Sequence, residues 1–259
     1  MSEREGLVGS VEELVLRHAS KVVKEAEGLR DRGISYRILI KVYKPKWERE
    51  LYGLLKGLLG DLMLIGKDSG VLGRRRLGWT CLCDLLDGSL NFMCGLKYYA
   101  YSVALAKEGE VVYGIVVDLE NMAYYKAERG GGAFYVDESG EEHELKEEAA
   151  RVPVNFKVLA TNVTLRSLHP IELRCSALEL CALARGAAEI GIGKMWTPEF
   201  AAGFLIAKES GLTFTDWDFK PLECIPMEYR EVKYVCGTPK ALKELSAKTR
   251  TLKDLVIEA

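Results

Sequence analysis

Over the first thirty residues, apolar side chains recur at helical spacing. Val11, Leu14, Val15, His18, Val22 and Val23 fall near one face of a 3.6-residue repeat. Ser10-Val11-Glu12-Glu13 has the form of a capping box, and Gly33 supplies a stop. His18 reads as a partly exposed residue at the edge of the core. A second helix is expected over residues 47–59, after Pro45. The pattern then changes to short apolar runs. Leu62-Met63-Leu64-Ile65 reads as a strand entering a loop at Asp68. Runs 98–106, 111–118 and 122–127 read as antiparallel strands, with turns at Glu108-Gly109 and Glu120-Asn121. Residues 138–148 are acidic and polar and read as a surface crossover. Past Pro153, strands and helices alternate: strand 156–161, helix 175–185, helix 199–210 closed by Gly211, strands 212–216 and 234–237, and a last helix begun by Pro239. The change near residue 150 divides the chain into an N-terminal α+β subdomain, 1–150, and a C-terminal α/β subdomain, 151–259, within one body.

One apolar run ends unlike the others. Trp79-Thr80-Cys81-Leu82-Cys83-Asp84-Leu85-Leu86-Asp87-Gly88-Ser89-Leu90-Asn91-Phe92 closes on two aspartates spaced i, i+3, then a glycine, a hydroxyl and an amide. Charges are costly to bury unpaired, and hard cations take carboxylate oxygens as ligands. Gly88-Ser89 reads as a helix start, whose free N–H groups suit an anion. The segment thus offers cation ligands, a phosphate site and a hydroxyl between them. A strand followed by an ordinary Asp-Gly turn is the alternative reading.

Composition narrows the classes. The 259 residues include 36 basic and 38 acidic side chains, a net charge of −2, which argues against a nucleic-acid protein. Arg74-Arg75-Arg76 is the only tight basic cluster and reads as a solvated turn. A hydrophobic content of 48% supports a sizeable core. No apolar run approaches the length of a membrane span, and the charged N-terminus is unlike a signal peptide. Seven cysteines without paired C-x-x-C spacing point away from a zinc framework and toward a cytoplasmic, mostly reduced chain. The absence of Gln and the abundance of Lys, Arg and Glu point to a thermophile. An internal disulfide is compatible with that setting.

The Asp84 segment resembles the inositol monophosphatase family, which usually reads W-x-x-D-P-[IL]-D-G-[ST]-x-N-F there. Further stretches are similar to family elements in the same order. Ile65-Gly66-Lys67-Asp68-Ser69-Gly70 resembles I-G-E-E-S-G. Asn91 to Gly95 and Tyr101-Ser102-Val103-Ala104-Leu105 resemble N-F-x-x-G…V-S-[IV]-A-L. Gly114 to Asp118 and Ala127 to Phe134 resemble G-V-[IV]-x-D-P and A-x-x-G-x-G-A-x. Thr197-Pro198-Glu199-Phe200-Ala201-Ala202-Gly203 through Glu209-Ser210-Gly211 resembles W-D-x-A-A-G…E-A-G. The chain is identified as a divergent member, of the archaeal inositol monophosphatase/fructose-1,6-bisphosphatase type.

The resemblance implies an α+β fold, the layered α-β-α-β-α sandwich of sugar phosphatases. It also implies hydrolysis of a small phosphate monoester, an inositol monophosphate or a sugar phosphate such as fructose 1,6-bisphosphate, with Mg²⁺ or Mn²⁺. By motif position Asp68, Asp84, Asp87, Glu199 and the Leu86 carbonyl are metal ligands, with Asp84 shared by two ions. Asp68 and Ser89 are catalytic through the attacking water, and the N–H groups of Gly88 and Ser89 hold phosphate. A homodimer is the expected assembly. The departures lie in the metal shell. Asp68 replaces a Glu, Glu199 an Asp, Lys67 an acid, and Leu85 a proline. Counting back from Gly66 without gaps puts Lys44 where the family carries an acid; Glu48 or Glu50 fills that place if the register shifts. The same count puts Ile192 where the family contacts sugar with an acid. An impaired relative that binds a phosphorylated ligand or a protein partner is therefore the alternative function.

Overall fold

Helix α1 (Glu3–Asp31) starts well ahead of the expected capping box. Ser10 sits inside it and its hydroxyl donates to the Gly6 carbonyl, so the S-x-x-E tetrapeptide caps nothing. A computed structural model describes residues 3–74, 78–146, 158–165 and 170–257. Val11, Val15, Ala19, Val22, Ala26 and Leu29 of α1 are buried, as their spacing requires. His18 corrects one expectation: it is buried, not partly exposed, and its Nδ1 lies 2.7 Å from the Tyr101 hydroxyl.

A short helix α2 (Tyr36–Ile38) runs through one π-helical stretch, Leu39–Tyr43, into α3 (Lys44–Leu59). Pro45 is therefore the second residue of α3, directly after the π-helical turn, and not a break before the helix. Strands β1 (Leu62–Gly66) and β2 (Gly70–Leu72) form a tight hairpin. Next come β3 (Trp79–Asp87), the one-turn α4 (Ser89–Met93), β4 (Ala100–Lys107), β5 (Glu110–Asp118), β6 (Tyr124–Glu128), β7 (Gly132–Val136) and β8 (Glu142–Leu145). These strands make one sheet in the order β2-β1-β3-β4-β5-β6-β7-β8, antiparallel except where β1 meets β3. Strand β8 corrects the reading of 138–148 as a crossover. His143 and Glu144 face Tyr135 and Phe134, so part of this polar stretch is an edge strand and not a loop. Residues 147 and 148 lie outside the described residues.

In the second half, β9 (Val158–Thr161) is followed by β10 (Thr164–Leu165), α5 (Ser176–Ala184), β11 (Ile190–Trp196), α6 (Thr197–Glu209), β12 (Thr213–Thr215), β13 (Glu231–Gly237), α7 (Pro239–Lys248) and β14 (Val256–Ile257). Residues 156 and 157 of the expected first strand, and Arg75 and Arg76 of the basic cluster, are outside the described residues; Arg74 is exposed. Strands β12-β13-β11-β9 form the second sheet, and β10 pairs with β14.

Three apolar layers follow. One face of the large sheet packs against α1 and α3 through Trp47, Leu51, Leu55 and Tyr101. Its other face meets α5 and α6, which also cover the small sheet through Phe200, Phe204, Phe214 and Tyr234. The far side of the small sheet packs against α7. The order is α-β-α-β-α. Helix α6 lies between the sheets, and its residues from Thr197 to Ala207 are all buried. That explains a helix apolar on every side. Its last residue, Glu209, accepts the N–H groups of Gly130 and Gly132 in the β6–β7 turn, joining two of the sequence motifs. All seven cysteines are free.

Candidate functional site

In a regular strand, residues three apart point to opposite faces. Asp84 and Asp87 escape this because β3 carries a bulge between them. Asp84 is opposite Ser102 and Asp87 is opposite Ala100, so three steps on β3 match two on β4. The extra residue turns Asp87 back to the face of Asp84. Leu85, in place of the family proline, is fully buried there.

The strand end is held by its own backbone. Leu86 N–H donates to Asp84 Oδ1 at 3.1 Å, and Gly88 N–H donates to Asp87 Oδ1 at 2.8 Å. The second contact engages the N–H that the resemblance assigns to phosphate. Gly88 adopts φ +74°, and a Cβ would meet the Tyr98 carbonyl at 2.8 Å. Asp87 Oδ2 accepts the Ala177 N–H of α5 at 2.7 Å. Asn91 donates to the carbonyls of Tyr98 and Leu173, 2.8 Å each, and ties the chain before α5 to the same corner.

Glu199 arrives from the other half at the first turn of α6. One of its oxygens accepts the Trp196 N–H, 3.2 Å away. Carboxylate oxygens of Asp84, Asp87 and Glu199 lie within 4.8 Å of one another, and all three residues are buried. Helix-start charge and cluster member, the two readings of Glu199, are both true of it.

The loop carrying Asp68 is built on Glu48, a fully buried residue of α3. Its carboxylate accepts the N–H of Asp68 at 3.1 Å and of Ser69 at 2.5 Å. Gly66 is needed because a Cβ there would come within 2.2 Å of Glu48. Burial raises the Glu48 carboxyl to about 7, against the hydrogen bond near Ser69 that lowers it. Glu50 is elsewhere, pairing with Lys21 at 2.7 Å.

Lys44 does point inward. Its ammonium lies 2.8 Å from Asp68 Oδ2 and 3.0 Å from Asp84 Oδ1. Burial opposes its charge, but Asp84 and Asp68 outweigh burial and hold it firmly protonated. Asp68, expected as a metal ligand, is therefore engaged by a lysine. Lys67 Nζ lies 2.5 Å from Glu199 Oε2 and 5.6 Å from the Trp196 ring centroid. Asp87 is pushed up to about 8 by its burial, then by Asp84 and Glu199.

A cavity of about 360 Å³ opens on this cluster. Asp87, Gly88, Ser89 and Glu199 line it, together with Arg174, Lys194 and Glu231. The Ser89 hydroxyl is 3.4 Å from that of Tyr36. Ile192 is buried between Ala160 and Val235 and does not line the cavity. Lys194, two residues on along the strand, does. The sequence signal for Lys194 is a lone charge at the end of an otherwise apolar, glycine-spaced strand.

The comparisons agree with this fold. A family model for inositol monophosphatases matches residues 11–254. The chain belongs to the inositol monophosphatase family. It is 24% identical over 164 residues to fructose-1,6-bisphosphatase/inositol-1-monophosphatase of Methanocaldococcus jannaschii, covering 60% of this chain and 64% of the relative. It is 32% identical over 188 residues to inositol-1-monophosphatase of Rhizobium meliloti, covering 63% and 66%. Both alignments span less than two thirds of the relative. Inositol monophosphatase II from Staphylococcus aureus shares the fold, with a TM-score of 0.75 and 16% identity over 94% of this chain and 93% of that one. So does SuhB of Mycobacterium tuberculosis, with a TM-score of 0.70, 23% identity and coverage of 95% and 96%. Two lysines, Lys44 and Lys67, lie among the site carboxylates of this member. No helix among the described residues is long and apolar enough to cross a membrane.

Proposed function

We propose that the chain hydrolyses a small phosphate monoester, an inositol monophosphate or a sugar phosphate such as fructose 1,6-bisphosphate, with Mg²⁺ or Mn²⁺. The carrying observation is that Asp84, Asp87 and Glu199 converge from two distant segments, and that Asp87 and Glu199 line a polar cavity. Three carboxylates around one point suit a hard divalent cation. Such an ion supplies charge neutralisation at the phosphoryl oxygens and an activated water. The chain's own groups do the rest. Arg174, Lys194 and Lys67 give the cavity a cationic wall that attracts and orients an anionic ester. Ser89, at the mouth beside Tyr36, and Asp68 are assigned to orienting the attacking water. Asn91 and Ala177 fix the Asp87 corner, so that the donors hold their positions without reorganising. The Leu86 carbonyl, a homodimer and a cytoplasmic setting belong to the same proposal.

One observation favours a second reading. Lys44 holds two of the carboxylates that the family gives to metal, as in a relative that only binds a phosphorylated ligand or a protein partner. A panel of phosphate esters assayed with Mg²⁺, with Mn²⁺ and in chelator separates the two. Hydrolysis that stops in chelator and returns with either ion supports the phosphatase. No turnover of any ester, together with saturable binding of inorganic phosphate, supports the binding protein.

A further inference from the structure

Asp68 and Asp84 lie on separate elements, and their carboxylates are brought together across a single ammonium. Lys44 reaches them as the first residue of α3, directly after the π-helical turn 39–43. A π-turn inserts residues and resets the direction of the side chains that follow, and such turns recur at functional sites. The result is an Nζ at 2.8 Å and 3.0 Å from two carboxylate oxygens. A divalent ion bound by the same two oxygens would need to approach each to roughly 2.0–2.6 Å. Both cations cannot occupy that place. The Lys44 side chain is only 5% exposed, so the ammonium is enclosed between the two carboxylates.

The charges of the centre lead to the same result. Asp68, Asp84, Asp87 and Glu199 bring four negative charges, and Lys44 and Lys67 bring two positive ones. One divalent cation neutralises the difference. Two would leave an excess of two positive charges inside a buried cluster. Glu48 changes this by no more than one charge, and its oxygens are directed at the backbone of Asp68 and Ser69.

We infer that the Lys44 ammonium is a built-in replacement for one metal ion, so that the centre binds a single divalent cation, at Asp84, Asp87 and Glu199. This deepens the phosphatase reading and rests on it for the meaning of the site. The Lys67–Glu199 pair opens to admit that ion, since Lys67 is 24% exposed at the cavity wall and has the Trp196 ring beside it. The positive charge between Asp68 and Asp84 is then supplied by the polypeptide and survives a chelator.

Mn²⁺ alone tests this, by equilibrium dialysis and electron paramagnetic resonance on the intact chain without substrate. The wild type should bind one ion per chain. Lys44→Ala and Lys44→Asp, which vacate the place between Asp68 and Asp84, should bind two, with the dipolar broadening of a coupled pair. Lys44→Arg should stay at one. Two ions in the wild type, or none, would overturn the inference, as would a count of one in both Lys44→Ala and Lys44→Asp. If one variant fails to fold, as judged by circular dichroism, the other variant and the wild-type count still decide. The ester panel is a separate readout. One ion bound with no ester hydrolysed sinks the phosphatase reading and leaves the Lys44 assignment standing; two ions bound with full turnover does the reverse.

Discussion

The two lysines of the centre carry the same charge and face the same kind of partner, yet their surroundings make them different devices. Lys44 is buried between two carboxylates on two elements. Lys67 touches one carboxylate, sits on a hairpin loop and is partly open to the cavity. A buried ammonium with two partners is structural, because losing it strands two charges away from water. A half-open ammonium with one partner is exchangeable, because water or an incoming cation can take over. Burial and partner number, not residue type, decide which positive charge belongs to the fold and which yields to a ligand.

The largest expected effect tests that contrast in stability. Lys44→Met should lower unfolding stability by about 3–5 kcal/mol in chelator, the range for removing one partner of a buried ion pair. Lys67→Met should cost less, about 1–3 kcal/mol, since the buried Glu199 carboxylate loses one partner but keeps the Trp196 N–H. Urea titrations of the two variants read the difference. Equal losses would erase the distinction between them.

A second test weakens the Asp87 half alone. Asn91→Ala frees the carbonyls of Tyr98 and Leu173. A cost of about 1–3 kcal/mol is expected for stranding such partly buried groups. Mn²⁺ affinity should fall with it, because the segment leading to Ala177 is loosened, while the Lys44 contacts stay intact. A drop in stability with unchanged Mn²⁺ affinity would show that the clamp does not reach the ion site.

The third effect is smaller and opposite in sign. Lys67→Met removes the cation that competes for Glu199, so Mn²⁺ should bind more tightly by roughly tenfold, about 1.4 kcal/mol. Unchanged affinity would mean that Lys67 is already clear of the site in solution.

Much of this centre is legible in the amino-acid sequence. The i, i+3 aspartates mark it, although the bulge that turns both to one face is not visible there, because a bulge is defined by the partner strand. A gapless count locates Lys44 but not its direction, since the π-turn ahead of it shifts every side chain that follows. Glu48 and Glu50 look interchangeable in sequence. They lie on different faces of α3, one under the Asp68 loop and one at the surface. Strand β8 is hidden because an edge strand with a polar face has the composition of a loop. Arg174 and Lys194 do not stand out because each is a lone charge that gains meaning only from the cavity between them.

Without metal, a proton takes the place of a cation at Asp87. Its carboxyl is pushed up to about 8, mainly by burial and then by Asp84 and Glu199, while the Ala177 N–H and Lys44 pull the other way. In the unfolded chain an aspartate releases its proton near 3.9. Between those values the folded chain keeps a proton that the unfolded chain has lost, so the stability of the chelated protein falls as pH rises and levels off above about 8. Asp87→Asn cannot release a proton and lacks this slope. In chelator, its melting temperature should therefore gain on the wild type between pH 5 and pH 8. We expect a gain on the order of 1 kcal/mol, roughly 2–4 °C for a chain of this size, because neighbouring lysines soften the cost of ionisation. Saturating Mn²⁺ should reverse the order at pH 8, since the ion replaces the proton on Asp87 and has lost a ligand in Asp87→Asn. Parallel wild-type and Asp87→Asn curves across this range would mean that Asp87 is already ionised in the metal-free protein, held by Lys67 or Lys44, and that these two lysines act as one shared counter-charge and not as two distinct devices.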